Sequence, residues 1–358
     1  MVIDLESSFK FQVIAFCSDS ENKMVLARNL LRDRMQQRSE NEEHENTDGR
    51  NLIVYGCAAH FVHLIEKEVS PRTVIAQIVE AQKYFRNKHL PQGWLREKGG
   101  KKPQIPNDTR WTSQLATFDT YLKNQNIYHE ICIEHSEEIP LHIFKILNNP
   151  NIYMEAMNLY KQLELVCFAL DRFQKDSCSL GEAVHEWLKL LQAPLLEPFR
   201  GVIDKRFKQC VTPAHLVAYQ GHPKYKGENL TAEQENAATE WLMNINVEFV
   251  APLLSLSIQC ENTYPKYMFA DKVIKEFSPA KWWRIVKSRA EKIPGMASPQ
   301  FCSFMEQLSS LPASSASVER VFSTFGYVHT KLRNRLGNEK TEKLVRCNRM
   351  LKGKAEDW

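Results

Sequence analysis

Two short apolar runs near the start of the chain that read as strands, followed by some 240 residues dominated by helical periodicity, constrain its fold more than any other feature. Phe11-Gln12-Val13-Ile14-Ala15-Phe16 ends in the polar cluster Cys17-Ser18-Asp19-Ser20-Glu21-Asn22, and Leu52-Ile53-Val54-Tyr55 ends in Gly56-Cys57. Apolar runs of this length bounded by turn residues predict buried strands. Helical periodicity follows each. Met24, Leu26, Ala27, Leu30, Leu31 and Met35 supply an apolar face behind a cap at Ser20 or Asn22, and Ala58 to Val69 returns to helix. Strand, helix, strand, helix within about 70 residues is the pattern of an α/β layer.

Residues 37–50 contain almost no apolar side chain and predict a loop. From Pro71 to about Leu311 the periodicity is helical, as in Ile75-Ile78-Val79, Leu163-Val166-Cys167-Leu170 and Ala183-Trp187-Leu190-Leu191, with breaks at Gly99–Pro103, Asn149-Pro150 and Gly221–Pro223. Two more helices close the chain. Ser314 or Ser315 caps the first, in which Val318, Val321, Phe322 and Phe325 fall at i, i+3, i+4 and i+7 and predict a core stripe. Asn338 caps the second, with Thr341, Leu344, Val345, Asn348 and Leu351 on one side.

No run approaches the roughly 18 apolar residues of a membrane span, and the first six residues lack a signal-peptide pattern, so an intracellular protein is expected. The nine cysteines form no CxxC pair, which argues against a disulfide framework or a zinc finger. Cys57-x-x-His60 alone has ligand-like spacing, and by itself it is half a site. The formal net charge is +4, yet residues 315–358 carry ten Lys/Arg against five acids. A basic terminus of this kind can follow a phosphate backbone or form a solvated helix face.

The segment LPASSASVERVFSTFGYVHTKLRNRL, residues 311–336, resembles the C-terminal dimerisation region of hAT (hobo/Activator) transposases. Asp19 in SDSENKM, Cys57 and His60 in GCAAHFVHLI, Thr109-Arg110-Trp111, TPAHLVAYQGHPKYKG (212–227) and Lys281-Trp282-Trp283 resemble further family marks in the expected order. The resemblance implies an α/β fold: a truncated RNase H-like core interrupted by a long all-helical insertion. It divides the chain into 1–70, the start of the core with its first strands missing; 71–300, the insertion; and 301–358, the region that completes the core.

The same resemblance assigns Asp19 and Glu319 to a metal-binding carboxylate triad that would hold Mg²⁺ for DNA cleavage. The triad's first Asp is expected to be missing, because only 18 residues precede Asp19 and the neighbours of Asp4 read as helix. Cys57 and His60 would support the active site rather than bind zinc. Arg110, Trp111, Lys331, Arg333 and Arg335 would contact DNA, with Trp111 stacking on a base. Val318, Val321, Phe322, Phe325, Leu344 and Leu351 would serve dimerisation, and a nuclear location is implied. Read from the residues alone, Asp19 is a helix cap, Glu319 an exposed helix charge, and Trp282 and Trp283 core.

Three functions remain open at this point. The first is a transposable-element-derived protein that self-associates and binds DNA without complete cleavage chemistry. The second is a fragment of an active, Mg²⁺-dependent transposase, which an upstream strand bearing an Asp would favour. The third is a helical interaction module with no nucleic-acid role, which salt-dependent DNA binding would exclude.

Overall fold

Two strands can pair only over the length that both supply. β1 (Ala15–Ser18) and β2 (Ile53–Gly56) form a two-stranded parallel ladder, with Ala15 opposite Ile53 and Ser18 opposite Gly56. The computed structural model describes residues 12–41, 52–69, 72–107, 113–258, 263–292, 295, 297–328 and 336–356. β1 therefore starts four residues later than the apolar run suggests, because its short partner sets the limits. It is also only half-buried, whereas Val54, Tyr55 and Gly56 of β2 are buried.

The connection between the strands is α1 (Asn22–Asn41), and α2 (Ala58–Val69) follows β2. α1 runs into the predicted loop because Gln, Arg and Glu are good helix formers even without an apolar face. Its apolar face also differs from expectation. Leu26 and Leu30 are exposed, and the buried side chain is Arg28. The Arg28 guanidinium donates to the Ser18 Oγ at 2.5 Å and to the carbonyls of Ser18 and Asp19, while Arg32 donates to the Val54 carbonyl at 2.9 Å. Charge-assisted bonds to strand carbonyls, rather than leucine packing, tie α1 to the sheet.

The rest of the described chain is helical. In order come α3 (Arg72–Asn87), α4 (His89–Glu97), α5 (Ser113–Lys123), α6 (Gln125–Glu134), α7 (Leu141–Leu147) and α8 (Pro150–Phe173). Then follow α9 (Leu180–Gln192), α10 (Arg200–Cys210), α11 (Pro213–Gln220), α12 (Ala232–Ile245), α13 (Val250–Ser257) and α14 (Asp271–Glu276). The last four are α15 (Pro279–Ala290), α16 (Pro299–Ser310), α17 (Ala316–Val328) and α18 (Asn338–Glu356). Pro at the first position of α11, α15 and α16 suits a site where the backbone N–H has no helical partner. Among the described residues no helix is long and apolar enough to cross a membrane.

The chain divides into two compact units. One comprises Phe61–Arg172 and His185–Gln209, and its described elements are all helices. Within it, buried Gln82 bonds the Thr117 carbonyl at 2.6 Å and Thr120 at 3.1 Å, and Asn124 closes on both backbone groups of Lys101. These pairs satisfy polar groups that would otherwise be costly to bury.

The other unit takes in the chain up to His60, Phe173–Val184, and Cys210 onward, and it contains the sheet. At its centre Trp282 and Trp283 are fully buried and lie edge to face with ring centroids 5.0 Å apart. Their indole N–H groups donate to the carbonyls of Met268 and Gly221, each at 2.9 Å. The core reading of this pair is therefore the one the structure adopts. His215, in the first turn of α11, caps Thr212 and meets the Tyr55 ring edge-on at 5.3 Å; burial pulls its pKa down to about 3.

Residues 311–315 carry the chain from α16 to α17 through a series of bends, with an isolated antiparallel bridge from Pro312 to Ser179, and lace this unit together. Ala313 N–H donates to the Cys178 carbonyl at 2.8 Å, its carbonyl accepts from Ala58 N–H at 3.0 Å, and the Tyr55 hydroxyl donates to the Pro312 carbonyl at 2.8 Å. Ser314 is buried, donates to the Phe173 carbonyl at 2.7 Å and accepts from Ala316 N–H at 3.4 Å. Ser314→Ala is expected to destabilise the protein by about 1–2 kcal/mol, since it removes a buried hydroxyl's bonds to the Phe173 carbonyl and to the first N–H of α17. Urea unfolding at constant slope measures this, and a change near zero would show that the serine is replaceable.

Candidate functional site

The register of the two strands decides what meets at their ends. Because Ser18 pairs with Gly56, Asp19 and Cys57 emerge together just past the carboxyl ends of neighbouring parallel strands, where α/β sheets expose functional groups. Cys57 is the last residue before α2, and its N–H donates to the Ser18 carbonyl at 2.7 Å. His60 lies one turn further on, so both side chains share one side of the helix start. The segment 311–315 described above then delivers α17, with Glu319 in its first turn.

Cys57 Sγ, one His60 ring nitrogen and one Glu319 carboxylate oxygen all lie within 4.8 Å of one another, and His60 Nδ1 is 3.8 Å from Glu319 Oε1. Ser315 joins the parts, donating its N–H to Cys57 Sγ at 3.3 Å and its hydroxyl to Glu319 Oε1 at 3.3 Å. Cys57 is buried, whereas His60 and Glu319 keep 27% and 43% of their side-chain surface, so the cluster opens to solvent on one side. Sequence reasoning missed two contributors. Ser315 was expected only to cap a helix, and Arg28 was hidden among leucines.

The electrostatics single out Cys57. Burial pushes its thiol up, but the hydrogen bond and charge of His60, together with the Ser315 donor, outweigh that and hold it below the ordinary value. His60 is raised in turn by its bond to Cys57, against burial, and the charges of Cys57, Glu319 and Asp19 add to the rise. Both carboxylates thus lie within electrostatic reach of one imidazole. Neighbouring Cys17 behaves oppositely, driven well up by burial and by Cys57 and Cys210. Electropositive surroundings beside a helix start are those in which a thiol can ligate or react, whereas an apolar burial site keeps it inert.

Mg²⁺ fits this arrangement poorly. It prefers an octahedral shell of oxygens, but Glu319 faces sulfur and nitrogen. The Asp19 carboxylate accepts from Glu21 N–H at 3.1 Å in an Asx turn before α1. Among the described residues the group of three or more His, Cys, Asp or Glu side chains whose ligand atoms converge is Cys57, His60 and Glu319. Asp4, Arg110, Trp111, Lys331, Arg333 and Arg335 lie outside the described residues.

The apolar stripe of α17 does not close the core. Val318, Phe322 and Phe325 are exposed, Phe322 to 70%, and Val321 is half-covered. Leu344, Met350 and Leu351 on α18 are exposed too, while Thr341 and Val345 are buried. Periodicity reports that a helix is amphipathic without saying what covers it. The stripe lies on a helix pinned at its base by Arg320, which donates to the Gln174 carbonyl at 2.9 Å and pairs with Asp176.

A small parallel sheet with an acid, thiol and imidazole at its carboxyl edge, and a terminal helix pair baring large apolar side chains, describe a self-associating protein built onto an α/β edge. Residues 263–351 match the hAT family C-terminal dimerisation region, which supports membership of the hAT superfamily and relates the chain to its transposases. Phe322, Leu344 and Leu351 fall inside the matched region, as do Glu319 and both buried tryptophans. No curated protein matches the chain.

Proposed function

We propose that this is a transposase-derived nuclear protein that self-associates through α17 and α18 and binds DNA without cleaving it. The observation that carries the reading is the bare apolar face of α17 and α18 within the matched dimerisation region. Exposed clusters of large apolar side chains mark association surfaces, and a second copy of the chain is the partner that a dimerisation region supplies. An RNase H-like origin for the sheet, with 71–300 as its helical insertion and 301–358 as the closing segment, is part of the proposal. It is supported by the placement of Asp19 and Cys57 at the strand ends beside Glu319.

DNA binding would use Arg110, Trp111, Lys331, Arg333 and Arg335. The test joins two measurements on the full chain. Sedimentation across a concentration series is expected to show a reversible dimer or higher oligomer. Gel-shift titrations are expected to show DNA affinity that falls steeply with salt, with a log–log slope near −0.9 for each phosphate neutralised on duplex DNA. A monomer at all concentrations, or binding indifferent to salt, would sink the respective half. Strand cleavage with Mg²⁺ that Glu319→Gln abolishes would overturn the non-cleaving reading.

A further inference from the structure

We propose that Cys57, His60 and Glu319 form a binding site for a thiophilic divalent cation of the Zn²⁺ type, with its fourth coordination position open to solvent. The inference is independent of self-association and of DNA binding, because it rests on the donor atoms alone.

The first support is geometric. Zn²⁺ bonds sulfur at about 2.3 Å and imidazole nitrogen or carboxylate oxygen at about 2.0–2.2 Å, which at tetrahedral angles spaces the ligands roughly 3.3–3.7 Å apart. The His60–Glu319 separation of 3.8 Å is close to this, and all three donor atoms lie within 4.8 Å of one another. Small rotations of the two partly exposed side chains would complete the approach, while the sulfur stays fixed.

The second support is the frame. Cys57 and His60 are presented by the start of one helix, and Glu319 by the first turn of another. Ala58 N–H to the Ala313 carbonyl and Ser315 N–H to Cys57 Sγ tie those helix starts together, and Cys57 N–H to the Ser18 carbonyl fixes the first of them to β1. The Ser315 N–H also orients the sulfur, as outer-shell donors do at metal centres. Ser315 Oγ does the same for the carboxylate.

The third support is chemical. Sulfur, imidazole and a single carboxylate make a soft to borderline set that selects zinc over magnesium. A thiolate and a carboxylate would neutralise the ion. Three protein ligands with solvent beside two of them match an open site, which keeps a water or substrate position, rather than a closed structural site.

Cobalt spectroscopy on the chelator-stripped full chain tests this directly. Co²⁺ is expected to give the visible bands of a tetrahedral ion and a near-ultraviolet thiolate charge-transfer band, both erased by Zn²⁺. Cys57→Ser should remove the thiolate band, and Cys347→Ser, at an exposed cysteine, should leave it intact. His60→Ala and Glu319→Gln alter the solvent-facing side and should weaken Co²⁺ binding by on the order of 10–100-fold or more. They also carry the test if circular dichroism shows that Cys57→Ser fails to fold. No thiolate band in the parent chain, a band that survives in folded Cys57→Ser, or unchanged affinity in both other variants would overturn the proposal.

Discussion

Trp283→Ala is expected to lower the free energy of unfolding by about 3–5 kcal/mol, the range for emptying a large aromatic site in a core that cannot collapse around it. The surroundings argue for the upper half of that range. Trp283 is fully buried, meets the rings of Trp282 and Phe301 edge-on at 5.0 and 5.4 Å, and has Tyr264 at 6.0 Å. Four aromatic rings from three stretches of chain meet there, so no single neighbour can move in to fill the void. The indole also serves the Gly221 carbonyl at the end of α11, and a buried acceptor left without a donor adds to the loss. Trp283→Phe separates the two effects, since it keeps most of the ring contact and discards only the donor. Because whole domains are stable by about 5–15 kcal/mol, Trp283→Ala should shift the urea midpoint strongly or unfold the unit outright. A shift worth under about 1 kcal/mol would mean that the ring is not the packing centre described here.

The burial of Trp282 and Trp283 was legible in the sequence, as was the opening order of strand, helix, strand and helix. The i, i+3 spacing of Cys57 and His60 also placed both on one side of a helix start. What could not be read was longer in range. Nothing local to Glu319 says that it meets a residue some 260 positions earlier, because the meeting depends on Ala313 bonding to both Cys178 and Ala58. Periodicity likewise could not tell whether the apolar face of α17 is covered by this chain or by another. In α1 it pointed to Leu26 and Leu30, whereas burial fell to Arg28, whose guanidinium finds strand-end carbonyls that a leucine could not satisfy. Each miss has one cause: a local pattern records the character of a side chain, and tertiary hydrogen bonds decide its place.

The same distinction frames the second large effect, on association rather than folding. Phe322→Asp is expected to weaken self-association by at least about 30-fold. Aromatic side chains at the centre of an interface commonly carry 2 kcal/mol or more, and each 1.4 kcal/mol is a factor of about ten in affinity. The folded single chain should scarcely register the change, because Phe322 is 70% exposed in it and exposed substitutions usually cost within about 0.5 kcal/mol. Leu351→Asp, on α18 and 71% exposed, should act in the same direction. Leu141→Asp provides the control, being similarly exposed at 68% but outside the matched region, and should leave association intact. Raising the salt should not reproduce the defect, since an apolar contact is not screened as charges are. Sedimentation of the three variants at matched concentration reads the outcome. A Phe322→Asp chain that self-associates like its parent would place the interface elsewhere and leave the exposed stripe of α17 without a partner.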